Sequence, residues 1–185
     1  MPRNTISRSL NDMGLAAWFG GTLANAVALN PAAGAADSPA RVGSVANTGW
    51  DRWTPVNAAA IGAHLAGSAG LLLGNKSRVL GQRGVASTSL AKTALTAAAL
   101  GLTAYSRALG REVAANTHVP AESGTEPAAR TPRDVAEAQR RLRVLQWVVP
   151  ALTGAMIVMD AQLGEQQRVG NVLEGVAARL PGLPG

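Results

Sequence analysis

The sequence predicts an all-α fold, a four-helix bundle in the membrane with an amphipathic C-terminal helix. Hydrophobic residues make up 47% of the 185 residues but aromatic residues only 3%, so small aliphatic side chains supply most of the apolar content. Helices packed in lipid use small residues because their backbones then approach closely. In addition, no formally charged residue occurs from Val56 to Leu73, a length that covers most of a bilayer's hydrocarbon core.

Nothing in the sequence separates two cores, so residues 1–185 are predicted to form one helical domain. The mean hydropathy of +0.10 is modest for a membrane protein. A soluble alanine-rich helical bundle therefore stays open as an alternative.

The first predicted span covers residues 13–31, an apolar run that follows a polar start and ends at Asn30 and Pro31. The same stretch resembles a secretory signal, because a basic start and an apolar middle precede small residues. Asp12, the adjacent glycines Gly20 and Gly21, and Asn25 favour a retained helix.

The second predicted span covers residues 55–74, after a predicted loop over residues 31–53. Thr54 and Pro55 form a helix-start signal. A threonine oxygen accepts a hydrogen bond from a free amide of the first turn, and proline is tolerated there because the amide hydrogen that it lacks has no partner within the helix. Indole rings favour the headgroup region of a bilayer. We therefore predict that the tryptophans near the span ends lie at the membrane interface: Trp18, Trp50, Trp53 and Trp147.

The third predicted span covers residues 86–107 and contains Lys92, and a polar loop is predicted over residues 110–131. The sequence Thr131-Pro-Arg-Asp134 predicts the start of a long helix, with Thr131 as the cap. This helix leads into the fourth predicted span, residues 143–162, where Pro150 predicts a kink. Apolar residues at helical spacing predict the amphipathic helix over residues 164–180.

The charge pattern argues against nucleic acid as a partner. The net charge is +6, but the basic residues are scattered at segment ends, where attraction to anionic lipid explains them. These residues do not decide the membrane orientation, because each orientation places a basic group on the cytoplasmic side. The chain has no cysteine, which excludes disulfides and thiolate chemistry.

Four polar residues interrupt the predicted spans and form a candidate binding set: Asn25, His64, Lys92 and Asp160. Counting residues along four antiparallel spans predicts a Lys92–Asp160 ion pair and a hydrogen bond between Asn25 and His64. Three of the four also have a structural interpretation: His64 joins helices, Lys92 extends toward the headgroups, and Asp160 marks a water-facing boundary. No metal site, cofactor or catalytic motif is predicted.

A face of small residues on the second span predicts close helix packing: Ala63, Gly67, Gly70 and Gly74. This pattern favours a multi-pass protein of the cell membrane that acts as a structural or accessory subunit. Its predicted partners are the lipid bilayer and either a second copy or another membrane protein. The alternative is a small membrane enzyme or redox-linked protein with a polar pocket around His64.

The stretches AWFGGTLANAVALNP and GWDRWTPVN, followed by a short basic turn and further spans, carry a resemblance that covers about Leu15 to Ser106. Their layout resembles the small multi-helix membrane proteins of high-GC actinobacteria, which implies a membrane location. The WFGG-type first span is also similar to the four-helix membrane proteins grouped with anthrone oxygenases. That similarity implies an enzyme, but none of the family's catalytic positions is matched residue by residue.

Overall fold

The computed structural model describes residues 4–74, 83–116 and 118–165. Its helices are α1 (Thr5–Ala24), a π-helical segment (Asn25–Leu29), α2 (Asn30–Ala33), α3 (Pro39–Gly74), α4 (Arg83–Ala115) and α5 (Arg133–Glu165). Two short antiparallel strands, β1 (Ala121–Ser123) and β2 (Glu126–Pro127), form a hairpin between α4 and α5. The fold is thus an all-α bundle of four long helical rods, as the sequence predicts.

The first rod runs continuously from α1 through the π-helical segment to α2. Pro31 has no amide hydrogen, so the α-helical bonding pattern fails in the turn before it. The π-helical segment occupies that turn, where the Asn30 amide bonds to the Asn25 carbonyl five residues earlier. The predicted first span, residues 13–31, lies inside this rod.

The predicted start of the second span at Thr54 is wrong, because α3 begins at Pro39 and includes most of the predicted loop over residues 31–53. The Thr54 hydroxyl donates to the Trp50 carbonyl, 2.7 Å away, instead of capping a helix. Pro55 lies inside α3, where it leaves the Asp51 carbonyl without its usual amide partner. A helix-start signal therefore occurs here in the middle of a helix.

The rest of the chain follows the predicted order with different bounds. α4 extends beyond residues 86–107 at both ends, and the predicted loop over residues 110–131 contains the hairpin. α5 begins next to the predicted TPRD start and contains residues 143–162, but Thr131 does not cap it. The Thr131 hydroxyl instead accepts from the Ala128 amide and donates to the Pro120 carbonyl. The predicted helix over residues 164–180 lies outside the described residues apart from the end of α5.

Contacts between the rods give their directions. Asn11 near the start of α1 lies beside His64 and Asp160, which are near the ends of α3 and α5. Asn30 at the other end of the first rod lies beside Trp50 and Gln146. Neighbouring rods are therefore antiparallel, with the hairpin at one end of the bundle and the start of α1 at the other.

Small residues allow the first rod and α3 to pack most closely. A Cβ atom on Gly14 would overlap the Ala60 carbonyl, and one on Gly67 would overlap the Asn11 backbone. The middle of the core is formed by residues of α1, α4 and α5: Leu15, Trp18, Ala99 and Met156. Two further apolar clusters lie toward the hairpin end.

Candidate functional site

A buried ion pair joins α4 to α5. Lys92 Nζ lies 2.5 Å from Asp160 Oδ1, and the two side chains are only 11% and 18% exposed. The predicted pairing of these residues is therefore formed. Removing a charge from water is costly, so such a pair requires further hydrogen bonds to its remaining polar atoms.

Asn11 supplies those bonds and is the centre of the arrangement. Its Oδ1 accepts from Lys92 Nζ at 3.0 Å and from Ser68 Oγ at 2.7 Å, while its Nδ2 donates to Asp160 Oδ2 at 2.9 Å. Nδ2 also donates to Asp12 Oδ1 at 2.8 Å. Asn11 thereby connects all four rods through its side chain, although it is absent from the predicted site.

His64 completes this polar cluster, which we define as Asn11, His64, Ser68, Lys92 and Asp160. The His64 side chain is fully buried, and its Nδ1 lies 3.3 Å from the Asn11 backbone oxygen. A carbonyl oxygen only accepts, so this contact requires the proton on Nδ1. His64 Nε2 is buried and has no hydrogen-bond partner within the described ranges, and the ring centre is 6.2 Å from that of Trp18.

Asn25 does not join the cluster. Its Nδ2 donates to the Gly21 carbonyl, 2.8 Å away in its own rod, at the first residue of the π-helical segment. The predicted hydrogen bond between Asn25 and His64 is therefore not formed. The two residues lie at different depths because the polar cluster is near the start of α1.

The predicted interface tryptophans occupy three different environments. Trp18 is fully buried in the core, which does not fit a place at the membrane surface. Trp50 and Trp53 are half-buried and line a cavity, whereas Trp147 is 51% exposed. Trp147 therefore has the most open surface of the four for contact with lipid headgroups.

The small-residue face of α3 packs inside the chain. Gly67 faces the Asn11 backbone, Gly70 faces Ser7, and Gly74 faces the Asn4 side chain. Ala63, the fourth residue of this face, is half-buried. These three glycines therefore explain the close approach of α1 and α3 without a partner helix.

A separate cavity of about 300 Å³ lies mainly between α3, α4 and α5, with Thr22 and Asn30 of the first rod also in its wall, and it reaches the hairpin. Its walls are mainly apolar, and the polar cluster does not line it. At the hairpin end, the Asn30 side chain accepts from Trp50 Nε1 at 3.2 Å and donates to Gln146 Oε1 at 2.9 Å. These three residues all line the cavity.

Several buried polar atoms on the cavity residues have no hydrogen-bond partner among the residues that the structure describes: Trp53 Nε1, Asn57 Oδ1, Thr103 Oγ1, Ser106 Oγ and Arg107 Nε. Within the described ranges, no cluster of three or more histidine or acidic residues is arranged to hold a metal ion. Comparisons with protein-family models, curated proteins and solved structures find no match to this chain.

Proposed function

We propose that this chain is an integral membrane protein with four spans, and that it has a structural or accessory role. The observation that carries the proposal is a belt free of formal charge around the middle of all four rods. On α4 the belt runs from Thr93 to Ser106 and on α5 from Val144 to Met159, which corresponds to about 21 and 24 Å along the helices.

Paired charges mark both edges of this belt. Lys92 and Asp160 lie at one edge, and the Arg107–Asp51 and Arg143–Glu126 ion pairs lie at the other. A hydrocarbon core is about 30 Å thick, and local thinning of the bilayer accommodates a difference of several ångströms. The belt therefore has dimensions and edges suited to a bilayer.

The outer surface of the belt supports the same proposal. In the part of the chain that the structure describes, two helices, α3 and residues 133–164 of α5, are long and apolar enough to cross a membrane. Only 22% and 28% of their most apolar windows are buried, whereas the core helix of a soluble protein is mostly buried. Large apolar side chains such as Met13, Leu73 and Val158 are exposed on the bundle.

The polar cluster supports a structural role. Lys92, Asp160 and Asn11 satisfy one another, and Ser68 adds a bond from α3. Such a closed network specifies how four rods fit together, because slippage of α4 or α5 would leave a buried charge unpaired, and slippage of α1 or α3 would break the hydrogen bonds of Asn11. The alternative of a membrane enzyme at His64 requires a substrate space at that residue, and the cavity described above is lined by other residues.

Cysteine accessibility tests membrane residence cleanly because the chain contains no native cysteine. Val158 and the Glu137 side chain are each 58% exposed on α5, but only Val158 lies in the belt. In intact membranes, a charged maleimide should label Glu137→Cys and not Val158→Cys. After denaturation both variants should be labelled.

Equal labelling of both cysteines in the native state would refute the membrane proposal. So would recovery of the wild-type chain in the aqueous fraction after high-salt extraction without detergent. Co-purification from detergent extracts tests the accessory role separately, since a subunit should retain a stoichiometric partner. A protein that remains a monomer without a partner would overturn that role while leaving membrane residence intact.

A further inference from the structure

The cavity follows from an incomplete contact between two rods. α3 packs extensively on α1, and α4 packs on α5, but the described parts of α3 and α4 touch each other little. Small residues of α3 and α4 line the space between these helices: Gly43, Ala58, Ala104 and Gly110. We call this space the α3–α4 cavity.

The α3–α4 cavity opens sideways at the level of the charge-free belt. Ala58 on α3 and Ala104 on α4 both line the cavity, and both residues are exposed. Each lies within a stretch of its helix that carries no formal charge. A molecule that contacts the belt from outside can therefore reach the cavity through the gap between α3 and α4.

The wall of the α3–α4 cavity changes in polarity along the helices. The part within the belt includes aliphatic side chains from three helices: Ala58, Ile61, Leu100, Ala104, Leu145 and Val149. The part at the hairpin end includes residues with polar groups: Asn30, Asn47, Trp50, Thr125 and Gln146. Arg107 lies between these two parts, at the edge of the belt. The cavity therefore joins an apolar part to a more polar part across that edge.

The shape of the α3–α4 cavity suits a segment of an extended chain. Its wall on α4 runs from Leu100 to Val113, which corresponds to about 20 Å along the helix. Its volume of about 300 Å³ nevertheless lies at the lower end of the range typical of ligand pockets. A long and narrow space of this kind holds part of a larger molecule, and the side opening leaves room for the rest outside.

The charges around the cavity favour an uncharged segment. Among the described residues of the wall, Arg107 is the one that carries a formal charge. Its Nη2 lies 2.5 Å from Asp51 Oδ1, which neutralises it. A charged group inside the cavity would lose its hydration without gaining an opposite charge, and burying such a group is expensive.

We propose that the α3–α4 cavity binds one acyl chain of a bilayer phospholipid together with the uncharged ester group at the head of that chain. The chain packs against Ile61, Leu100 and the other aliphatic residues of the belt. The ester lies toward the hairpin end, where polar side chains line the wall, and the charged phosphate stays outside the cavity. A lipid has this orientation in its own leaflet, since the edge of the belt crosses the cavity. Such binding rests on the proposed membrane residence, because the bilayer supplies the lipid.

Photolabelling of the purified full-length protein in dodecyl maltoside micelles tests this binding. The probe is a phosphatidylcholine with a diazirine in one acyl chain, because a zwitterionic headgroup avoids general attraction to a chain of net charge +6. We expect saturable labelling of residues 100–107 and 145–149, located by mass spectrometry. Unlabelled phosphatidylcholine should compete roughly tenfold better than hexadecane, which would cover polar residues of the wall without offering a hydrogen bond.

Matched variants separate the cavity from the general apolar surface. Ala104→Phe places a large ring at the opening and should abolish saturable labelling, and Ala58→Phe on the opposite wall should do the same. Ala98→Phe adds the same ring at an exposed position of α4 that does not line the cavity, and it should preserve the labelling. Thermal unfolding verifies that each variant is folded.

Labelling in vesicles reports on the membrane separately. Val158 is 58% exposed in the belt and does not line the cavity. In proteoliposomes that contain the same probe, Val158 should be labelled in the wild type and in all three variants. This label depends on contact with the bilayer and not on the cavity.

Saturable labelling that Ala104→Phe and Ala58→Phe both leave unchanged would overturn the proposal. Equal competition by hexadecane would also overturn it, since the site would then not recognise a lipid ester. A label on Val158 in vesicles, without saturable labelling of the cavity in micelles, would refute the lipid site and leave membrane residence intact. The opposite result, with a saturable cavity label but no label on Val158, would uphold the lipid site and refute membrane residence.

Discussion

Replacing Lys92 by methionine should destabilise the bundle strongly, because it leaves a charge without its partner. Asp160 would keep the bond from Asn11 Nδ2 but lose the ammonium 2.5 Å away. Breaking a buried ion pair from one side costs about 3 to 5 kcal/mol. Since Asp160 is 18% exposed and retains one bond, we expect the low end, about 3 kcal/mol, or roughly a hundredfold in the unfolding equilibrium.

A double-mutant cycle separates this effect from the net value of the ion pair. In the variant that combines Lys92→Met with Asp160→Leu, Asn11 keeps its bonds to Ser68 and Asp12, so no buried charge is stranded. We expect its stability to lie within about 1 kcal/mol of wild type, because apolar replacement of both partners is often neutral. The two single variants should therefore cost more than the double variant.

The assay is equilibrium unfolding in mixed micelles with increasing sodium dodecyl sulfate, followed by circular dichroism. Arg41→Met is the control, because the Arg41–Asp37 pair is exposed and such pairs contribute about 0 to 1 kcal/mol. A cost below 1 kcal/mol for Lys92→Met would refute the view that the cluster holds the rods in register. A double variant as unstable as the sum of the single variants would refute it as well.

Two further predictions use the same unfolding measurement. Gly67→Ala should lower the free energy of unfolding by about 1 to 3 kcal/mol, because the new Cβ overlaps the Asn11 backbone. Gly62→Ala on the same helix has open space around the new Cβ and should raise that free energy by up to about 1 kcal/mol. Similar effects of the two changes would contradict the packing of α3 on α1. Asn30→Ala removes the bonds to Trp50 and Gln146 and should cost about 1 to 3 kcal/mol, and an unchanged midpoint would show that these bonds contribute nothing.

The sequence was sufficient to predict the four long helices and the Lys92–Asp160 contact. The helices follow from the apolar runs, and the contact follows from counting residues along antiparallel rods, since a rise of 1.5 Å per residue converts sequence position into depth. The same counting missed Asn11, because the first span was predicted to begin at residue 13. An asparagine before an apolar run is typical of a helix start, and only the paired helices show that it bonds to α4 and α5.

Other features depend on tertiary structure that local patterns do not encode. Thr54 and Pro55 form a start signal in sequence, but tertiary packing continues α3 through them. Tryptophan is amphipathic both at a membrane interface and in a cavity wall, so Trp50 and Trp53 fit either place. The glycines of α3 were predicted to pack a helix, and the structure identifies that helix as α1 of the same chain.

Sidedness of the two ends of the bundle tests the central claim most directly. Ser9 lies on the exposed surface near the start of α1, and Ala129 lies exposed beside the hairpin, beyond opposite edges of the charge-free belt. In sealed vesicles of one orientation, an impermeant maleimide should label Ser9→Cys or Ala129→Cys but not both, and inverted vesicles should show the reverse. Labelling of both cysteines from the same side of sealed vesicles would contradict a bundle whose four rods cross the bilayer.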